Sequence, residues 1–274
     1  MLLLGCLAAL ACAPVRAQEP QAPARALPPV SVTALRDPVQ KSYRAMLRGI
    51  DLFERNKAAL APHAVLRFKL LQRKPGVPLE GVQLHVVGTT TDLPVPVAPD
   101  RTFTLPRDAR AAAEDASVMP NRKALTMTWR ADVRTPGLPP GTRRLGDLRL
   151  ECQVGLEAGL VSNSPSWIVA LYDAIDRTPA SCNRANNKYL FFAKRPLFGV
   201  TLVAGERREA LPVARLWAGG IDDPGLAQDL PFCDCEMLVD RTYYLPLADA
   251  SWPHDTLVVF EFMDDAHAQP PAPR

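Results

Sequence analysis

Apolar and polar positions alternate with a period of two along much of this chain. Leu66, Phe68 and Leu70 alternate with Arg67 and Lys69, and Val82, Leu84 and Val86 with Gln83 and His85. Leu125, Met127, Trp129, Ala131 and Val133 alternate with Thr126, Thr128, Arg130 and Asp132. Leu148, Leu150, Cys152 and Val154 alternate with Arg149, Glu151 and Gln153. Successive side chains on a strand point to opposite faces, so each run predicts a strand with one buried and one polar face. That is the pattern of antiparallel sheets packed on a core. It assigns Trp129, Leu150, Phe103, Leu84 and Phe260 to the interior, and Arg130, Arg149 and His85 to the surface.

One segment keeps a different period. Val39, Tyr43, Met46, Leu47, Ile50 and Phe53 recur at steps of three and four, just after Asp37-Pro38. Asp37 is a candidate N-cap with proline in the first turn, so the pattern predicts one amphipathic helix over residues 37–62, halted near Pro62. Arg44, Arg48, Glu54 and Arg55 solvate its other side, and the narrow stripe points to packing on a sheet.

A seven-residue phrase occurs twice. Asp100-Arg101-Thr102-Phe103-Thr104-Leu105-Pro106 returns as Asp240-Arg241-Thr242-Tyr243-Tyr244-Leu245-Pro246, each preceded by a shorter phrase, Gly81-Val82-Gln83-Leu84 and Gly199-Val200-Thr201-Leu202. Strand-like runs follow both copies, at residues 125–133 and 256–262. Two blocks in the same order predict a duplicated β unit. The second copy restarts at Tyr189-Leu190-Phe191-Phe192, continues through residues 199–203 and 211–217, and carries an insertion within residues 205–238. Residues 156–187 form a linker in which Trp167 to Tyr172 is either a capped helix or a buried strand.

Residues 76–106 hold Gly76-Val77-Pro78-Leu79-Glu80-Gly81-Val82-Gln83-Leu84 and then the first copy of the phrase. This stretch resembles the carboxypeptidase regulatory-like, or transthyretin-like, sandwich domains. The resemblance implies a small antiparallel sandwich, and such domains mostly bind, space or stiffen. The fold expected is mostly β, with two immunoglobulin- or transthyretin-like antiparallel β-sandwich units, residues 63–155 and 188–265, and one N-terminal helix.

Composition agrees with short strands and turns, because 28 prolines break long helices. Net charge is +3, but the 25 arginines and 7 lysines are scattered without interleaved aromatics, which argues against nucleic-acid binding. Residues 1–17 read as a signal peptide, with a short apolar run and then Val15-Arg16-Ala17 before Gln18. Lipidation at Cys12 is a minor alternative. Residues 18–36 read as a flexible leader and 266–274 as a disordered tail, and no apolar stretch predicts a transmembrane segment.

Cleavage leaves Cys152, Cys182, Cys233 and Cys235, an even set that predicts two disulfides in a periplasmic or secreted protein. Three pairings are open. Linking Cys233 to Cys235 closes a tight ring, so pairing each with Cys152 or Cys182 is the easier arrangement. Signatures of Ser hydrolases, zinc proteases, phosphate-binding loops and EF-hands are absent. The densest polar constellation is Cys233-Asp234-Cys235-Glu236. Its Asp234 and Glu236, together with Asp222, Asp223 and His254, form the candidate binding set, with no catalytic residue, metal or cofactor assigned. The function expected is an exported non-enzymatic envelope module that binds or spaces another macromolecule, an envelope protein or cell-wall partner. The alternative is a periplasmic hydrolase or carbohydrate-acting enzyme with its site in residues 205–238.

Overall fold

Two short strands lead into two helices in a computed structural model of the chain, and those helices pack on each other at its centre. The structure describes residues 39–73, 76–124, 126–161, 178–185, 187, 189–217 and 238–265. Strand β1 (Lys41–Ser42) runs into α1 (Tyr43–Leu60). Then come β2 (Val65–Gln72), β3 (Leu84–Val87), β4 (Asp92–Val95), β5 (Thr102–Phe103), α2 (Ala109–Ala113), β6 (Ser117–Pro120) and β7 (Met127–Arg134). The chain restarts with β8 (Thr142–Arg144) and α3 (Leu145–Glu157), followed by β9 (Phe191–Phe192), β10 (Leu197–Ala204), β11 (Arg207–Ala210), β12 (Thr242–Tyr243) and β13 (Leu257–Phe262). The fold is mixed, with more strand than helix, several antiparallel sheets, three α-helices among the described residues and no barrel.

Sheet order follows the same rule in both halves. One four-stranded sheet is ordered β1-β6-β3-β4 and the other β8-β13-β10-β11. The smaller sheets are β5-β2-β7 and β12-β9. Backbone bonds match as well. Tyr43 N–H donates to Ala116 O at the head of α1, and Leu145 N–H to Thr256 O at the head of α3, both at 2.9 Å. Arg101 N–H donates to Ala98 O and Arg241 N–H to Leu238 O, both at 2.8 Å. The shorter phrase does not keep step with this correspondence. Leu84 faces Pro120, the fourth residue of β6, whereas Val200 faces Phe260, the fourth residue of β13. Leu84 therefore corresponds to Val200 and not to Leu202.

Two hydrophobic clusters form the core. The first joins the inner face of α1 (Tyr43, Met46, Leu52, Phe53) to Phe68, Leu84, Val86, Phe103, Val118 and Trp129. The second joins Phe191, Leu197, Val200, Leu202, Tyr243, Trp252 and Val258. Helix α3 belongs to both, through Leu150, Val154 and Ala158 on one side and Leu145, Leu148 and Cys152 on the other.

That double burial overturns the strand expected at residues 148–154. Leu145, Leu148 and Cys152 are spaced by three and four, and Leu150, Val154 and Ala158 by four. Two helical stripes on different faces, read together, produce an alternation of period two. The polar residues between them are also buried, so the helix has no solvent face to mark it. Arg149 is therefore interior, at 6% exposure, and Arg130 on β7 is buried too, at 5%, although the alternation assigns both to the surface.

Further differences have local causes. Helix α1 begins at Tyr43 with Ser42 as N-cap, its hydroxyl accepting from Ala45 N–H at 3.2 Å. Pairing of Lys41 and Ser42 with β6 holds the preceding residues extended, and Asp37 lies outside the described residues. Residues 211–217 form a 3-10 turn, Val213–Arg215, and one bridge from Leu216 to Tyr243, not a strand. Trp129, Leu150, Phe103 and Leu84 are buried as expected, His85 is half-exposed beside Asp92, and Phe260 is only partly buried.

Candidate functional site

Four sides of α3 are engaged, and its acidic side builds the candidate site. Asp147 and Glu151, one turn apart, face the end of β7. Asp147 Oδ2 accepts from Thr135 N–H at 2.7 Å and Oδ1 from the Thr135 hydroxyl at 2.8 Å. Glu151 Oε2 accepts from Val133 N–H at 2.9 Å. Arg143 on β8 closes the arrangement: its Nη2 donates to Glu151 Oε2 and to Val133 O, both at 2.6 Å, and its Nη1 to Glu151 Oε1 at 3.3 Å. The ion pair is buried on both sides. Burial works against the Arg143 charge, but Glu151, Tyr243 and Asp132 more than offset it and hold the guanidinium firmly protonated. Burial pushes the Glu151 carboxyl up, and Arg143 pulls it back.

Two cavities, about 310 and 300 Å³, are both lined by Arg143 and share Arg134, Phe192, Ala193 and Lys194 as well; the larger also reaches Glu151. Both copies of the repeated phrase reach the larger one, through Asp100 and Arg101 and through Arg241. Cations outnumber carboxylates in its described lining: Lys69, Arg101, Arg130, Arg134, Arg143, Lys194 and Arg241 against Asp100, Asp132 and Glu151. Each carboxylate is already held. Asp100 accepts from Thr102 at 2.6 Å and 3.0 Å, Asp132 from Arg134 at 2.7 Å, and Glu151 from Arg143. Burial lowers the pKa of Lys69; Asp100 and Asp132 oppose this, while Lys194 and Arg134 add to it as like charges. Burial also pushes the Tyr189 phenol up to about 12. The described lining contains no histidine, cysteine or serine.

Aromatic rings complete the walls. The Arg130 guanidinium lies 5.2 Å from the Phe192 ring centre. In the smaller cavity Tyr243, Phe260 and Phe262 line the wall, with Tyr243 edge-on to Phe260 at 5.2 Å. This wall position leaves Phe260 partly exposed, where alternation alone predicts full burial.

Asp222, Asp223, Asp234, Glu236, Cys233 and Cys235 fall outside the described residues, as do residues 1–38, 162–177 and 266–274. Cys152 is joined to Cys182, with Cα atoms 6.1 Å apart. The easier pairing expected, across to Cys233 and Cys235, is not formed by these two, because the 3-10 turn Pro179–Asn183 sits directly on α3. His254 lines neither cavity. Its Nδ1 accepts from Arg149 Nη1 at 2.8 Å, in a clamp where Arg149 also donates to the carbonyls of Leu247, Trp252 and Asp249. No group of three or more metal-ligating side chains occurs among the described residues, and no described helix is long and apolar enough to cross a membrane.

Arg143, Glu151 and Tyr243 are absent from the sequence-derived candidates. The signal for Glu151 is its spacing of four from Asp147, informative only once residues 145–157 are read as helix. Comparison with protein-family models, curated proteins and solved structures finds no match to this chain.

Proposed function

We propose that the protein is an exported, non-enzymatic module of the cell envelope, periplasmic or secreted, that binds or spaces another macromolecule through this central cleft. The observation that carries the reading is the cleft's inventory: excess cations, aromatic walls, and carboxylates that are all engaged. Hydrolysis needs a free base, or a nucleophile beside one, and the described lining offers neither. Anion recognition needs convergent donors, which it offers in quantity.

The buried Cys152–Cys182 disulfide favours an oxidising compartment, in keeping with the small-x-Ala cleavage signal before Gln18. We read the two halves as copies of one unit, each an immunoglobulin- or transthyretin-like sandwich with a helix on it. Support comes from the shared sheet orders and the matching bonds at Tyr43 and Leu145.

Capture of partners from envelope extract tests the function. The mature chain is expected to retain a macromolecule, and the charge-reversed pair Lys194→Glu with Arg241→Glu to lose it. No capture, or equal capture by both, rules the reading out. Intact mass of the envelope-recovered protein is expected to begin near Gln18 and to show no free thiol.

A further inference from the structure

We infer that the smaller cavity is a site for a carboxylate carried on a flat apolar group. The inference rests on the binding reading above and deepens it. Two buried donors of its lining lack acceptors among the described residues. The Tyr243 hydroxyl and the Arg143 guanidinium interact, but among the described residues neither the hydroxyl nor Arg143 Nε meets an acceptor in hydrogen-bond geometry. Both residues are at least nine-tenths buried, and both line this cavity. A donor buried without an acceptor is costly, so native structures rarely keep one without a use for it.

The surrounding charge has one sign. Among the described residues, Arg134, Arg143, Lys194 and Arg195 line the cavity, and no carboxylate does. Glu151, Asp132 and the pair Asp264 and Asp265 hold three of these cations from outside this lining, at 2.6–2.9 Å. Lys194 is exposed and makes no ion pair among the described residues, which places a free ammonium at the rim. A guanidinium N–H beside a phenol O–H matches the two oxygens of a carboxylate.

Apolar walls select what the carboxylate is attached to. Phe260 and Phe262 stack with ring centres 6.1 Å apart, and Phe192 and Ala193 supply further apolar wall. At about 300 Å³ the cavity is at the small end of ligand sites, room for one aromatic group and its acid. The same chemistry occurs in a free aromatic acid and in an aromatic residue at a polypeptide C-terminus.

Calorimetry on the full chain with N-acetylphenylalanine and its amide separates the possibilities. The acid is expected to bind and the amide to bind at least about tenfold more weakly, because a neutral amide presents its own N–H to two donors. Tyr243→Phe is expected to weaken the acid by about tenfold while the melting temperature stays level or rises, since the substitution removes a hydroxyl that has no acceptor among the described residues. A purely structural Tyr243 would move neither affinity. Lys194→Ala is expected to weaken the acid and flatten its salt dependence. Tighter binding of a longer peptide ending in phenylalanine identifies a chain end as the natural source, and equal binding identifies a small acid. Equal affinity for acid and amide, no binding of either, or a Tyr243→Phe variant that binds normally overturns the inference. Capture of an envelope macromolecule by that same variant would leave the binding reading standing.

Discussion

Without the Glu151 carboxylate, the Arg143 guanidinium would be a buried charge with no anionic partner in hydrogen-bond contact among the described residues. Glu151→Ala is therefore expected to lower stability by about 3–5 kcal/mol in urea unfolding, the range for breaking a buried ion pair from one side. A loss below about 1 kcal/mol would mean that water reaches the guanidinium. Trp129 is fully buried and its Nε1–H points to Met46 S at 3.4 Å, so Trp129→Ala should cost about 3–5 kcal/mol. His254 supplies a pH effect of known sign. Burial, and then the neighbouring Arg149 charge, lower its pKa, so the unfolded chain binds the proton more readily. Stability should be complete above the ordinary imidazole value and fall as the pH drops through it, and His254→Asn should flatten that part of the profile. At this scale alternation names a side chain's face correctly but not what covers that face. Arg130 does point away from Trp129, into the joint with β9 and not into water.

Elements were legible where one face meets solvent. Strand β2 alternates because Arg67 is exposed while Phe68 and Leu70 are buried, and α1 shows its stripe because Arg44 and Arg48 are half in water. Helix α3 was not legible, because being covered on every side erases the contrast that a period needs. Its tether supplies a prediction. The Cys152–Cys182 bond spans a sequence separation of 30, so reducing it should cost about 3–4 kcal/mol on a loop-closure argument. Urea titration of oxidised and reduced protein measures the difference, and unchanged midpoints would mean that the packing at α3 does not need the tether. A glycine marks the crossing with α1: a Cβ on Gly49 would sit 2.7 Å from the Ala158 Cβ. Gly49→Ala is expected to destabilise by about 1–3 kcal/mol through overpacking.

Across the whole molecule, the phrases at Asp100 and Asp240 each contain a short strand with a buried threonine and aromatic. The hairpin phrase is offset by two residues from the pairing register, because Gly-Val recurs in strands for reasons of turn chemistry. The cleft was not legible at all: it joins β2, β7 and β9 to Arg143, which are far apart in sequence and converge only through the packing around α3. That helix has a thermodynamic consequence. Its Leu150 and Val154 belong to one hydrophobic cluster and its Leu148 and Cys152 to the other, so neither cluster can open without exposing a wall of its neighbour. Melting should therefore be a single cooperative event, with calorimetric and van't Hoff enthalpies in agreement, although the chain is long enough for two independent domains. Amide hydrogens of α3 should exchange only through that global opening, at the slowest rate found in either half.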